Sequence, residues 1–503
     1  MSLTIGSIID AGVRVNPHGA AATLGEQLIS FAELDAAANR CARVLVDLGV
    51  RPGDIVAWWS GSSLRTLAGF IGCARAGAVF APLNPGLTPG EATDVLAYLQ
   101  PALLVGDPEH AELAAQVAPG LPLAAFGGAG HGAADLDQLC AGADPSPLAL
   151  VVSDTDPHIV YLTSGSTGRP KGALVSHRAS WLRAAPGGGT FTTGLRGPGG
   201  VVSGFPLYHY GGWHYVLEAW QNRRPIHLVR RAVAEELLAA VQRWQACAMY
   251  LIPAVWERVL ASDQPADLSS LRHADTGTSH TPAALLEAIK RRLPHTTTTV
   301  LYGSTEGGRM ASLQDWEIAQ RPGSVGRAAF PGALWLEEGE VCFASPAMMA
   351  GYLRLPEETA AALRGGVYRS GDVGELDADG YLYLTGRTRE LIRTGGESVW
   401  PVEVEDALRG ATGSYDVDGV HDLAIIGIPD ERWGEVVCLV VTTADGAVLP
   451  EPGTLLTGVQ ARLAGRLASH KHPRRVVQVA AIPRTPATGQ VQRRLLSQSI
   501  GSA

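Results

Sequence analysis

"YLTSGSTGRPKGALVSH", residues 161–177, is the stretch that decides the rest. An apolar segment runs into a loop of Ser, Thr and Gly with one lysine embedded in it. Gly165, Gly168 and Gly172 permit tight turns and close backbone approach. Ser164, Ser166 and Thr167 offer hydroxyls, and successive backbone N–H groups in such a loop can cradle phosphate oxygens. Lys171 adds a point positive charge. A helix is expected to start near His177, with its positive end aimed back at the loop. The stretch is not GxxxxGK[ST], because Lys171 follows Pro170 and precedes a glycine, so it is not a Walker A loop.

Outward from this loop the chain alternates helix and strand. "FAELDAAANRCARVLVDLG" (31–49) is apolar at helical spacing and ends at a glycine. "DIVAWWS" (54–60) reads as a strand, "SLRTLAGFIGCARAG" as a helix and "AVFAPLNP" as a strand. The pattern resumes as helix, strand, helix over 233–264, and as a helix followed by the strand "TTTTVLYGS" within 282–304. Such alternation predicts a parallel or mixed sheet covered by helices. From about residue 333 short strands and Asp/Gly turns predict a small β subdomain. A third texture, α+β, begins near residue 390. The expected fold class is α/β. A large N-terminal region (about 1–388) of mixed sheets with covering helices includes a β subdomain at about 330–388, and a small α+β C-terminal domain (389–503) follows.

The bulk properties narrow the function. The 503 residues are too many for one simple core. A net charge of -9 with scattered positive residues argues against a nucleic-acid partner. The six cysteines are far apart, with no CxxC, so neither a disulfide framework nor a zinc site is expected. The N-terminus lacks a basic segment followed by a long apolar one, so no signal peptide is expected. The most apolar stretch, Leu67 to Leu83, is interrupted by Arg75 and reads as a buried helix and strand, not a membrane span. A cytoplasmic protein with no membrane partner is the expectation. Only three lysines occur: Lys171, Lys290 and Lys471.

The loop at 161–177 resembles the phosphate loop of the AMP-forming adenylating superfamily: acyl-CoA synthetases, peptide-synthetase adenylation domains and beetle luciferases. "FPLYHYGG" (205–212), "LYGSTEGG" (301–308), "YRSGDVGELDADGYLYLTGRTRELIRTGGESVWPVEVE" (368–405), "IGIPDERWGE" (426–435) and "PRTPATGQVQRR" (483–494) follow in the family's order. The chain looks closest to the acyl- or aryl-CoA ligases. The resemblance implies ATP, Mg²⁺ and CoA as cofactors, AMP or an acyl-adenylate as bound intermediate, and a small-molecule carboxylic acid as substrate. It assigns nucleotide binding to Thr163, Ser164, Gly165, Ser166, Thr167, Gly168, Tyr302, Gly303, Asp372 and Arg387. Lys171, Thr305 and Glu306 become catalytic, with Glu306 on the metal, since an ionised carboxylate suits Mg²⁺ held mainly by ATP oxygens. Asp372 would accept from both ribose hydroxyls. Arg389 falls at the hinge of a mobile C-terminal domain, and Gly395 and Gly396 lie in a loop lining the pantetheine tunnel. His209, counted with the catalytic residues, gates the acyl pocket, which Tyr210, Gly211, Gly277 and Thr278 help to shape. "DTGTSH" (275–280) replaces the family's common "SGGAP", adding bulk or polarity at Thr278 and His280.

One departure stands out. "PATGQVQRR" (486–494) reads as a small loop at Thr488-Gly489 followed by an exposed basic strand or helix. The family has a lysine where this chain has Gln490, and that lysine bridges carboxylate and phosphate during adenylation. Glutamine donates hydrogen bonds but carries no charge. Three explanations stay open. Adenylation is crippled, and a separate adenylating enzyme supplies the acyl-adenylate. Another cation substitutes, with Lys471, Arg493 and Arg494 the candidates. Or the glutamine was introduced to freeze an intermediate. A non-catalytic nucleotide or acyl-adenylate binder, and a stand-alone enzyme loading a carrier-protein thiol, are the alternatives to a CoA ligase.

Overall fold

The computed structural model describes residues 3–128, 130, 132–164, 170–185, 199–387, 390–395, 397–409, 417, 419–430, 432–443, 449–485 and 489–501. It is a mixed α/β fold, as the alternation predicts. Among the described residues four sheets are seen. In the first, Val300–Ser304, His273–Gly277, Ala248–Tyr250, Val201–Ser203, Ile226–Leu228 and Ala20–Leu24 run parallel, with antiparallel strands at both edges. The second has parallel Val79–Leu83, Ile55–Trp59, Leu103–Gly106 and Leu123–Ala125 at its heart. These strands are apolar on both faces, as parallel strands between helical layers must be.

The two sheets clasp the helix Tyr210–Gln221. Every residue of it from Gly212 to Trp220 is buried, the behaviour of a helix inside a core. Trp213 stacks on Phe70 at 3.8 Å between ring centroids and meets Phe80 of the second sheet edge-on. Trp220 donates its Nε1–H to the Ala21 carbonyl of the first sheet. Gly211 and Gly212 let the helix start this close: a Cβ would lie 2.9 Å from the Phe205 ring at the first and 2.5 Å from the Pro206 carbonyl at the second.

"TTTTVLYGS" forms a strand only from Val300. Thr296, Thr298 and Thr299 lie buried before it. Thr298 and Thr299 donate their N–H groups to the carboxylates of Asp315 and Asp275, not to a neighbouring strand.

Strands Ala333–Glu337, Glu340–Ala344, Leu363–Arg364, Val367–Leu376 and Leu382–Arg387 make a third, antiparallel sheet. Gly351–Tyr352 leaves it and pairs with Ala173–Leu174 of the second sheet. The fourth sheet is built on the hairpin Val420–Asp430/Gly434–Thr443. It carries helices Pro401–Ala407, Pro452–Leu463 and Arg493–Gly501. No helix among the described residues is long and apolar enough to cross a membrane.

Candidate active site

A cleft of about 3180 Å³ separates the first three sheets from the fourth. The residues of the phosphate-loop stretch enter it from the hairpin Pro157–Ser164/Pro170–Ser176, in which Thr163 pairs with Lys171. Thr163 Oγ1 donates to the Lys171 carbonyl at 3.3 Å. Gly165, Ser166, Thr167 and Gly168 lie outside the described residues, as does the side chain of Ser164. The helix at His177 begins where predicted, capped by Ser176, but it does not aim at the loop. The strand Pro170–Ser176 intervenes, and Ser176 pairs with Pro157 at the opposite end of the hairpin. The helix N-terminus is therefore a strand's length from Ser164 and Pro170, whereas Lys171 lines the cleft.

The Lys171 ammonium sits 5.2 Å from the centroid of the Tyr352 ring. Tyr352 donates its hydroxyl to Glu306 Oε1 at 2.8 Å. One tyrosine thus spaces the positive and negative groups, a role with no signal in "AGYLRLP". Glu306 and Thr305 form the turn between Val300–Ser304 and Gly308–Leu313. Gly303 permits it, since a Cβ there would meet the Gly308 carbonyl at 2.1 Å.

Arg183 anchors this turn from below, and sequence reading missed it. Its Nε donates to the Ala347 carbonyl at 2.6 Å, Nη1 to Thr305 O at 2.9 Å and Nη2 to Glu306 O at 3.0 Å. Its guanidinium also lies 4.8 Å from the centroid of the Tyr210 ring. In "HRASWLR" it reads as an ordinary helix-surface arginine, yet it is buried.

Asp372 and Arg387 face each other across strands Val367–Leu376 and Leu382–Arg387. Arg387 Nε pairs with Asp372 Oδ1 at 2.8 Å, and Tyr302 donates its hydroxyl to Oδ2 at 2.6 Å. Three of the ten residues that the resemblance assigns to the nucleotide are thus one hydrogen-bonded group. The hinge residue Arg389 lies outside the described residues. Of the glycine loop, Gly396 lies outside them. Gly395 has φ 61°, and a Cβ there would meet the Trp433 ring at 2.6 Å.

At the expected acyl pocket His209 caps the buried helix, its Nδ1 accepting from Gly211 N–H at 3.3 Å. Burial holds this imidazole down to about 4, so it is neutral with Nε2–H as its donor. Gly277 has φ 152°, and a Cβ there would meet the Leu301 carbonyl at 2.1 Å. Thr278 has φ 74°, a conformation costly for a β-branched residue. Its Oγ1 shares a hydrogen bond with Tyr250 Oη at 2.8 Å, which helps to offset that cost.

Gln490 reaches this point from the C-terminal domain, its Nε2 donating to the Thr278 carbonyl at 3.3 Å. His280 Nε2 stands 3.2 Å from Asp406 Oδ1 beside it. The replaced residues of "DTGTSH" are thus the ones that touch the C-terminal domain.

Two of the three candidate stand-in cations, Lys471 and Arg493, are paired with carboxylates. Lys471 pairs with Glu403 at 2.5 Å. Arg493 is not an exposed basic residue: its side chain is 13% exposed and binds Glu405 at 2.7 Å and Glu390 at 2.9 Å. Burying the helix Arg493–Gly501 against Val420–Asp430 brings this about, with Arg493 Nε also donating to the Ile425 carbonyl.

A cleft with a lysine at a phosphate-loop hairpin, a carboxylate at a tight turn and a hydrogen-bonded Asp–Arg–Tyr group fits an adenylate-forming ligase. The chain belongs to the AMP-binding enzyme family: residues 9–353 match the AMP-binding enzyme family and 412–488 its C-terminal domain. Its class is that of the AMP-forming acid–thiol ligases. It is 33% identical to a feruloyl-CoA synthase of an Amycolatopsis species, over 96% of this chain and 97% of that one. It is 32% identical to an indoleacetate–CoA ligase of Aromatoleum aromaticum, over 96% of each chain. The crystal structure of ATP-bound MatB from Rhodopseudomonas palustris superposes with a TM-score of 0.85 at 27% identity, covering 100% of this chain and 99% of that one.

Proposed function

We propose that this enzyme activates a carboxylic acid through an acyl-adenylate and transfers the acyl group to CoA. Gln490 weakens the first half-reaction relative to the second. The observation that carries the reading is the convergence of Lys171, Tyr352, Glu306, Tyr302, Asp372 and Arg387 on the cleft that Gln490 closes.

In the first step a carboxylate oxygen bonds to the α-phosphorus of ATP, and the bond to the β-phosphate bridge breaks, releasing pyrophosphate. Lys171 faces the phosphates as a point charge. Asp372 accepts from the ribose hydroxyls, and Arg387 pairs with Asp372 at its side. Glu306 suits Mg²⁺: Tyr352 occupies Oε1 and orients the carboxylate, and a single carboxylate with nucleotide oxygens is a common Mg²⁺ environment. When bound, that ion would neutralise phosphate charge. Gln490 enters as a neutral N–H donor where a cation would offset developing charge. Loss of one such stabilising interaction costs about 3–4 kcal/mol, or roughly 10²–10³ in rate.

In the second step the C-terminal domain turns about Arg389 and brings the loop at Gly395 and Gly396 to the pantetheine. The CoA sulfur bonds to the acyl carbon as its bond to AMP breaks, and the thiol proton leaves to solvent. Paired single-turnover assays test the reading. One follows pyrophosphate from acid plus MgATP; the other follows thioester from preformed acyl-adenylate plus CoA. Thioester formation much faster than adenylation is expected. Failure of both half-reactions across a panel of acids would leave only a binding protein.

A further inference from the structure

We infer that Tyr98, which does not line the cleft, is the positioning residue that fixes Lys171 against the Tyr352 ring for the triphosphate. This rests on the ligase reading above and adds to it a residue that acts through Lys171.

Tyr98 lies on the helix Pro89–Leu99, 74 residues before Gly172 and 255 before Leu353. The same helix reaches the cleft with Glu91, Asp94 and Val95, but the half-buried Tyr98 ring joins the apolar cluster behind it, with Val160, Leu174 and Leu353. Its hydroxyl accepts from the Gly172 N–H at 3.0 Å and donates to the Leu353 carbonyl at 2.7 Å. The first bond falls on the peptide that joins Lys171 to Gly172. The carbonyl end of that same peptide receives the Thr163 hydroxyl. The Lys171–Gly172 peptide is therefore held at both ends, by side chains from two different elements. The second bond falls one residue beyond Tyr352. A single oxygen thus ties the strand of Lys171 to the segment of Tyr352, beside a 2.8 Å bond from the Leu353 N–H to the Gly172 carbonyl.

The tie runs in both directions. Arg354 donates Nη1 to the carbonyls of Tyr98 and Leu99 at 2.7 and 3.1 Å, a cation on the last turn of the helix. The segment that carries Tyr352 therefore holds the helix that carries Tyr98. A lysine ammonium rides on a flexible four-carbon stem, so the backbone and ring that direct it decide where it rests. Phenylalanine at 98 would fill the same space, so what the hydroxyl adds is these two bonds. Without them the two backbone segments are freer to shift, and a misplacement of about 1 Å costs up to roughly 10²-fold at a reacting group.

The test is calorimetric binding of magnesium α,β-methylene-ATP and of AMP to the full chain, Tyr98→Phe, Lys171→Met and the double variant. Neither ligand turns over, since the methylene bridge replaces the oxygen whose bond to the α-phosphorus breaks. Tyr98→Phe is expected to bind the triphosphate analogue roughly 10-fold more weakly, with AMP affinity within about 2-fold of native. In the Lys171→Met background the same change should cost less than about 3-fold, because Tyr98 acts through Lys171. An additive loss in the double variant overturns the inference, as does an equal loss of AMP affinity or native affinity for the analogue in Tyr98→Phe. The expected cycle, from a native chain that makes neither adenylate nor thioester, would sink the ligase reading and leave the role of Tyr98 standing.

Discussion

The amide of Gln490 lies 3.3 Å from the carbonyl of Thr278, so the C-terminal domain touches the first sheet at a β-branched residue held at φ 74°. Gly489, with φ 67°, turns the loop inward, and Arg484, itself paired with Asp422, donates to the Gly489 carbonyl. A neutral donor thereby occupies the position where the family resemblance leads one to expect a lysine.

Gln490→Lys should raise the single-turnover adenylation rate by roughly 10²–10³ while changing thioester formation from preformed adenylate by less than about 3-fold. Lys471→Met should leave adenylation nearly unchanged, because Glu403 already holds that ammonium. Pyrophosphate release measures both. A large loss in Lys471→Met would show instead that Lys471 leaves Glu403 and serves as the substitute cation.

Arg183→Met should cost about 3 kcal/mol or more in urea unfolding, since three backbone carbonyls lose a charged donor. Arg183→Lys cannot span all three and should raise the KM for ATP by loosening the Thr305–Glu306 turn. Native ATP affinity in Arg183→Lys would reduce the residue to a core filler.

Asp372→Asn removes the charge that would face the ribose and leaves Arg387 without its partner. Calorimetry should show AMP binding weakened roughly 10–100-fold, the range for a hydrogen bond to a charged group. Affinity within 2-fold of native would remove Asp372 from the nucleotide site.

Glu218 gives a pH signature. Burial pushes its carboxyl from 4.5 up to about 8. Between those values the unfolded chain releases this proton and the folded chain keeps it. Its contribution to stability is therefore fully present below pH 4.5 and is lost as pH rises through about 8. The slope from one such group is at most about 1.4 kcal/mol per pH unit. Asp275, pushed up to about 7 by burial, acts in the same direction. In urea unfolding across pH 5–9, Glu218→Gln should flatten part of the fall. An unchanged slope would mean that Glu218 is ionised in the folded protein.

Local pattern made much of the fold and site legible. Helix periodicity, apolar runs and the order of Ser/Thr/Gly, "STE", "SGD" and "TGR" stretches are short-range, so "FAELDAAANRCARVLVD" and "IVAWW" formed the elements expected. What failed was direction and partnership. The helix at His177 starts where expected, but the strand before it decides where it points. Arg493 was read as a surface charge because its two carboxylate partners lie 103 and 88 residues away.

The sequence by itself determined the chemistry available: one lysine at a phosphate loop, one carboxylate at a turn, and a glutamine where a cation was expected. Only the tertiary structure decided which groups meet. Gln490 and Thr278 are 212 residues apart, and Arg183 and Thr305 are 122. The reason is physical. Backbone propensity and periodicity act over a few residues. Hydrogen-bond partners and buried charges arise when packing excludes water, and that depends on elements brought together from across the chain.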